Sequence, residues 1–426
     1  MQHLSGLRKI FTELSGKAQT INPRGHSYFV VSPTDWRLID CLRNSLSMDM
    51  DVYDAVVSSS IIPLWQINER KINTFRMKNF LLLVAVGAIS FIGCNRTNTS
   101  LNKVVPQEEM ENIYNEVKTP FKYGVVVKHP DTTKMVDSPT IFRQNDVWYM
   151  TYIVFDGQGY ETWLSESDDL LNWETKGKIL SFTENTWDAN QKAGYVSLIS
   201  TDWGGDYSVE NYQDKYWMTY LGGNTDGYES GTLKIGMANT TTLTEANEWN
   251  TNNSPLLSPE DEDVRWFENK TIYKNLVIRD SSKHTGYPFV MYYNAKGDTA
   301  NYESIAMAVS DDMVSWKRYG ENPVITRGKG ICGDAQIAKF NDLYIMFYFG
   351  AFWKPGAFER FACSYDLINW TDWEGEDLIA PSEEYDKKYA HKPWVIKWNG
   401  VVYHFYNAVG DSGRVIALAT SKDLTK

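Results

Sequence analysis

The chain has 426 residues, 42% hydrophobic and 23% charged, enough for a sizeable core and for more than one domain. Its formal net charge is -12 and no Lys/Arg-rich run overrides it, so the surface repels phosphate backbones and anionic headgroups, which sets nucleic acid aside as a partner. Aromatic residues reach 14%, with 16 Trp and 26 Tyr, side chains that fill sheet cores and also stack on the apolar faces of sugars.

Residues 1–76 show no sustained periodicity and no motif, and read as an undefined N-terminal extension or an upstream extension of the gene. Residues 77–94 then read MKNFLLLVAVGAISFIGC. Met77-Lys78 is a basic start, and Phe80 to Gly93 is an apolar run too short for the ~20 residues that span a bilayer, so the stretch fits a signal peptide. Ile92-Gly93-Cys94 has the form of a lipobox, which makes Cys94 the candidate lipidation site. The expected location is the envelope of a Gram-negative bacterium, periplasmic face or cell surface, with membrane contact through the lipid anchor alone. Residues 95–119 read as a linker that opens on a polar tether.

From about residue 120 to 426 a pattern repeats. Ser-x-Asp-[Leu/Met]-x-x-Trp occurs at Ser167–Trp173, Ser310–Trp316 and Ser364–Trp370, and a truncated copy, Ser421–Leu424, closes the chain. Ser and Asp there can bond their own backbone into a tight turn. Five strand-like runs accompany the repeat, at Val147–Val154, Lys215–Leu221, Phe289–Asn294, Leu343–Phe349 and Val401–Asn407. A period of some 50 to 70 residues with about four strands each predicts propeller blades. The fold class is therefore all-β, a five-bladed β-propeller over 120–426. The last blade lacks its outer strand, and Gly124–Lys128 is expected to supply it, since an unpaired edge would be a pairing hazard.

A propeller gathers its site from residues near the first strand of each blade. Read this way, the blades offer Asp137-Ser138-Pro139, then Asp202–Asp206, Arg265–Glu268, Gly333–Gln336 and His391–Trp394. An acid in blades 1, 3 and 4 with a histidine in blade 5 makes Asp137, Glu268, Asp334 and His391 the candidate catalytic set. Trp203, Asp206, Arg265, Trp266, Trp353, Lys392 and Trp394 are candidate sugar contacts. Tyr-Glu recurs at Tyr160-Glu161, Tyr228-Glu229 and Tyr302-Glu303, with Phe358-Glu359 beside them. Repetition favours a structural role for these pairs, with Glu161 and Glu359 kept as second-line site residues.

The blade repeat and Asp137-Ser138-Pro139 resemble the five-bladed propeller glycosidases, glycoside hydrolase families 43, 117 and 130 and their relatives. The resemblance implies an exo-acting, inverting glycoside hydrolase with Asp137 as general base. It implies an acid among Glu268, Asp334 and His391, since hydrolysis needs one carboxylate to activate water and a group of raised pKa to protonate the leaving oxygen. The expected partner is an oligo- or polysaccharide, and the expected state a monomer. A phosphorolytic relative and a non-catalytic glycan-binding propeller are the alternative readings. No pair of Cys41, Cys94, Cys332 and Cys363 has metal-ligand spacing, and no calcium-loop spacing is present. No cofactor is therefore expected to be required, although a structural cation in the central channel is compatible with the resemblance.

Overall fold

The computed structural model describes residues 104–426, apart from 248, 300, 301 and 426, together with two short strands nearer the N-terminus. Cys94 and the 77–94 segment lie outside the described residues. The chain divides into two units, Met1–Leu101 and Asn102–Lys426. In the first, β1 (Gln19–Thr20) and β2 (Ser27–Tyr28) form an antiparallel pair.

The second unit opens on helix α1 (Gln107–Val117), inside the stretch read as a linker. Met110, Ile113 and Val117 recur at helical spacing and are buried in a cluster with Leu343, Phe347, Phe361, Trp373 and Val395. Strand β3 (Phe121–Val127) follows, and the rest is antiparallel meander.

Blade 1 is β4 (Met135–Gln144), β5 (Val147–Phe155), β6 (Tyr160–Ser167) and β7 (Glu174–Leu180). Blade 2 is β8 (Gln191–Val196), β9 (Tyr216–Gly223), β10 (Lys234–Thr240) and β11 (Asn250–Thr251). Blade 3 is β12 (Thr271–Arg279), β13 (Phe289–Lys296), β14 (Tyr302–Ser310) and β15 (Trp316–Arg318). Blade 4 is β16 (Gly330–Phe340), β17 (Leu343–Ala351), β18 (Ala357–Ser364) and β19 (Thr371–Asp372). In blade 5, β20 (Tyr389–Trp398), β21 (Val401–Gly410) and β22 (Gly413–Thr420) pair in sequence, and β3 pairs with β22 as the fourth strand. The outer strand of the last blade thus comes from the N-terminal side of the first.

Backbone bridges and side-chain bonds run right round the ring. Tyr160 pairs with Gln191 between blades 1 and 2, and Leu198 N–H donates to Val277 C=O at 3.0 Å between blades 2 and 3. Glu303 pairs with Ile331 between blades 3 and 4. Gln336 exchanges two bonds with the Val395 backbone, 2.7 and 2.8 Å, between blades 4 and 5. Asn407 Nδ2 donates to Val136 C=O at 2.8 Å between blades 5 and 1.

The repeated motif is a capped turn. In blade 3, Ser310 Oγ accepts from the N–H groups of Asp312 and Met313, while Asp312 Oδ1 accepts from those of Val314 and Ser315. The Trp316 indole then donates to Met313 C=O at 3.0 Å. Blades 1 and 4 repeat the Trp bond, at Trp173 and Trp370, and the residue before the bend has positive φ in all three copies, Leu170, Met313 and Leu367. The sequence repeat is therefore explained by turn construction.

Because β3 closes the ring, a chain that starts at residue 129 is expected to lose blade 5 as a stable sheet. Its melting temperature should fall by roughly 10 °C or more, and it should aggregate through the exposed edge of β22. Calorimetry and light scattering against the whole chain check this.

Candidate active site

Four of the five first strands carry a β-bulge at the same end of the ring. The ladder skips between Asp137 and Thr140 in β4, Tyr273 and Asn275 in β12, Gly333 and Gln336 in β16, and His391 and Trp394 in β20. The residue at each skip has positive φ: Ser138 (49°), Lys274 (20°), Asp334 (58°) and Lys392 (63°). A bulge re-aims a side chain out of the sheet, and strained backbone of this kind gathers at functional sites. Here the bulges bring Ser138, Lys274, Asp334 and Lys392 to one small chamber, and Asp334 and Lys392 also line the larger cavity above it.

That cavity has a volume of about 180 Å³ and is lined by Glu229, Glu303, Asp334, His391, Lys392 and Arg414, with Tyr228, Tyr273, Phe349, Phe352 and Tyr389 as its aromatic wall. Asp137 lies just beneath, in a smaller space that shares Glu229, Tyr273, Asp334 and Lys392.

Each carboxyl group has its own surroundings. Asp137 Oδ2 accepts from Lys392 Nζ at 3.0 Å, Arg414 Nη1 at 2.9 Å and Tyr228 Oη at 3.3 Å. Burial alone would raise its pKa, but the two cations overrule it and hold Asp137 ionised well below the usual carboxylate range. Asp334 is raised, chiefly by burial. Its Oδ1 accepts from Asn294 Nδ2 at 2.7 Å, and its N–H donates to Asn294 Oδ1 at 2.8 Å. A side chain at Gly333 would sit 2.7 Å from that Asn294 nitrogen, so the clamp needs glycine there. Glu229 is raised by burial and by Asp137, against the opposing pull of Lys392, yet its side chain is 30% exposed to the cavity. Glu303 accepts from Lys296 Nζ and from Tyr273 Oη, two donors that fix its orientation.

His391 is a poor proton source. Nδ1 donates to Asn407 C=O at 3.0 Å, and Nε2 faces Arg414 Nη1 at 3.3 Å. Burial, Arg414 and Lys392 push its pKa down to about 3, so the ring is neutral near pH 7. It orients Arg414 and the cavity wall.

Other expected site residues lie elsewhere. Glu268 is fully buried beneath blade 3, held by Arg265 through paired bonds of 2.9 Å, by Arg318 at 2.7 Å and by Tyr293 at 2.7 Å. This is a structural ion cluster that leaves neither Glu268 nor Arg265 for the cavity. Trp266 is exposed and leans on Tyr302 outside the lining. Trp203 donates to Glu116 of α1, and Asp206 caps Ser208 in the same loop, away from the cavity. Trp394 is buried in a narrow space with Ile199, Tyr207 and Leu276. Trp353 packs edge-on against Phe358 and donates to Ile331 C=O. Glu161 is taken up by Lys178 and Ser181, and Glu359 by His404. Cys332 and Cys363 are buried free thiols.

Glu229 and Glu303, assigned a structural role on repetition, are the ones that reach the cavity. Phe352, in the same loop as Trp353, supplies the ring that Trp353 was expected to give. Among the described residues no group of three or more His, Cys, Asp or Glu is arranged to hold a metal ion.

A five-bladed propeller with carboxyl groups of divided pKa around a sugar-sized cavity is the frame of a carbohydrate-cleaving enzyme. Known structures agree. The protein BT0996, solved as an RGII complex, is 49% identical, with 75% of this protein and 96% of that one covered and a TM-score of 0.73. A structure described as a glycoside hydrolase is 48% identical over the same shares, also with a TM-score of 0.73. A family 117 glycoside hydrolase, Zg3597 of Zobellia galactanivorans, shares the fold at 14% identity, covering 73% of this protein and 93% of that one with a TM-score of 0.53. No protein-family model and no curated protein matches the chain. The chain belongs to the glycoside hydrolases.

Asp137→Asn would leave Lys392 and Arg414 buried side by side with only Glu229, 3.6 Å from Lys392, as a carboxyl within ion-pair reach among the described residues. The expected cost is about 3–5 kcal/mol, read as a melting temperature lower by roughly 6 °C or more at pH 7. Since the folded pKa of Asp137 is depressed, its contribution is full above the ordinary carboxylate value of about 4 and is lost as pH falls below it. Melting curves of the two proteins should therefore converge in acid.

Proposed function

We propose that the chain is an exo-acting glycosidase that removes one terminal sugar from an RGII-type glycan, with Glu229 as general acid and Glu303 as the second carboxylate. The observation that carries this is the contrast between the two groups on one cavity wall. Glu229 is open to the cavity with a raised pKa, and Glu303 is fixed by two donors. A raised pKa keeps a carboxylic acid protonated to higher pH, where it can give a proton to the departing oxygen. A carboxylate held by Tyr273 and Lys296 is fixed for attack on carbon or for activating water.

The cavity supports exo action. At about 180 Å³ it matches a single sugar ring rather than a run of them. The aromatic wall offers faces for that ring. The substrate class rests on the relative solved as an RGII complex. Inversion, proposed from the likeness to propeller glycosidases, is read directly from the anomer first released, by proton NMR.

Asp137, the expected base, serves in this scheme as the anchor of Lys392 and Arg414, which face the sugar's oxygens. Residues 77–94 further support attachment to the Gram-negative envelope through lipidated Cys94. Cys94→Ala should then abolish incorporation of radiolabelled palmitate and release the protein from membranes.

The catalytic assignment is tested with Glu229→Gln. Against RGII oligosaccharide, kcat/KM should fall by roughly 10²–10⁴. Against an aryl glycoside whose leaving group needs no proton, the fall should be much smaller. Activity of the wild type should decline as pH rises through the Glu229 pKa, and that limb should vanish in the variant. Glu303→Gln should disable cleavage of both substrates. Equal losses on both substrates for Glu229→Gln would remove it as the acid.

A further inference from the structure

Beneath the sugar-sized cavity, the smaller chamber has a volume of about 10 Å³ and is lined by Asp137, Ser138, Tyr195, Lys274, Asp334 and Lys392, among others. That is close to the least space that admits one water-sized polar group. Two of its groups are incomplete. Lys274 is 5% exposed and its Nζ stands 3.9 Å from the centre of the Tyr195 ring; Asp334 and Asp137 attract it across the chamber, but no hydrogen bond or close ion pair among the described residues engages it. Asp334 Oδ2 is buried and likewise has no partner, while Oδ1 is occupied by Asn294.

A buried ammonium without an acceptor and a buried carboxyl oxygen without a donor each carry a desolvation cost that their attraction across the chamber offsets only in part. Other buried side-chain atoms also lack a partner, but these two are complementary, a cation and a carboxyl oxygen, and face one chamber, which calls for an occupant. The bulge that places Lys274 there also interrupts the ladder of β12, a second local cost at the same residue. The occupant must accept from an ammonium and donate to a carboxyl oxygen through a single heavy atom. A hydroxyl does both.

Resting on the glycosidase reading, we infer that this chamber receives one hydroxyl of the terminal sugar, with Lys274 Nζ donating to the hydroxyl oxygen and the hydroxyl donating to Asp334 Oδ2. Lys274 is then a specificity-determining residue. It rejects sugars that lack this hydroxyl, because they leave both protein groups unpaired. Lys392 and Arg414 do not compete for the role, since Asp137 already engages them. The cation–π contact with Tyr195 holds the ammonium in place without using an acceptor.

The test compares the whole wild-type chain with Lys274→Met on the aryl glycoside of the sugar that the wild type releases from RGII, and on each monodeoxy form of that glycoside. One deoxy position should lower wild-type kcat/KM by about 100-fold or more. Lys274→Met should lose about 100-fold on the parent glycoside and little on that one deoxy form, so that discrimination collapses. Its melting temperature should hold or rise, because an unpaired buried cation has been removed. If Lys274→Met does not fold, the wild-type deoxy series decides alone. Parallel losses on parent and deoxy substrates, or no deoxy position costing more than about tenfold, would mean that the chamber holds water, and would overturn the inference. A wild type that releases no sugar overturns the glycosidase reading and this inference with it; a wild type that cleaves without discriminating overturns only the inference.

Discussion

Asp137 sits where the ring meets itself. It belongs to the first strand of blade 1, and the two cations that hold it, Lys392 and Arg414, belong to blade 5. The same seam is bridged by Asn407, whose amide donates to Val136 C=O while its carbonyl accepts from Arg414 at 2.9 Å. Closure of the fold and the charge balance of the cavity are thus one network. Three charges largely shielded from bulk solvent interact strongly, and with two cations to one carboxylate Asp137 stays ionised. Its negative charge in turn pushes the Glu229 pKa up, against the larger opposing pull of Lys392. The group that seals the ring thus also bears on the carboxyl proposed as the acid.

The fold was largely legible in the sequence because its signals are local. Capped Ser-x-Asp turns and aromatic strands recur at blade spacing, and the missing last strand could be found at Gly124–Lys128, where β3 pairs with β22. Helix α1 was not read, although Met110, Ile113 and Val117 carry its period, because the stretch opens on a polar tether.

The site was legible where the hairpin after the first strand is tight. In blades 1, 4 and 5 only Asn145-Asp146, Asn341-Asp342 and Asn399-Gly400 separate first and second strands, so counting back from the aromatic strand lands on Asp137, Asp334 and His391-Lys392. In blades 2 and 3, residues 197–215 and 280–288 intervene, so the same count lands on Asp206, outside the first strand, in blade 2 and on Arg279, past the bulge at Lys274, in blade 3, while Arg265–Glu268 precede the first strand. Lys274 was missed for that reason. Glu229 and Glu303 were passed over because a repeated Tyr-Glu pair looks structural. At Glu161 and Glu359 it is, since Lys178 and His404 bind those carboxylates inside the sheet. Sequence spacing does not show which copies are taken up away from the cavity and which border it.

The bulges have an evolutionary consequence. At Ser138, Lys274, Asp334 and Lys392 the ladder resumes on both sides, so the re-aimed residue is uncoupled from the pairing that stabilises its blade. Where such a residue takes no part in the seam or in a clamp, as at Lys274, its position on a rigid strand acts as a socket. A descendant can change charge or reach at one socket and meet a different sugar while the scaffold stays as it is.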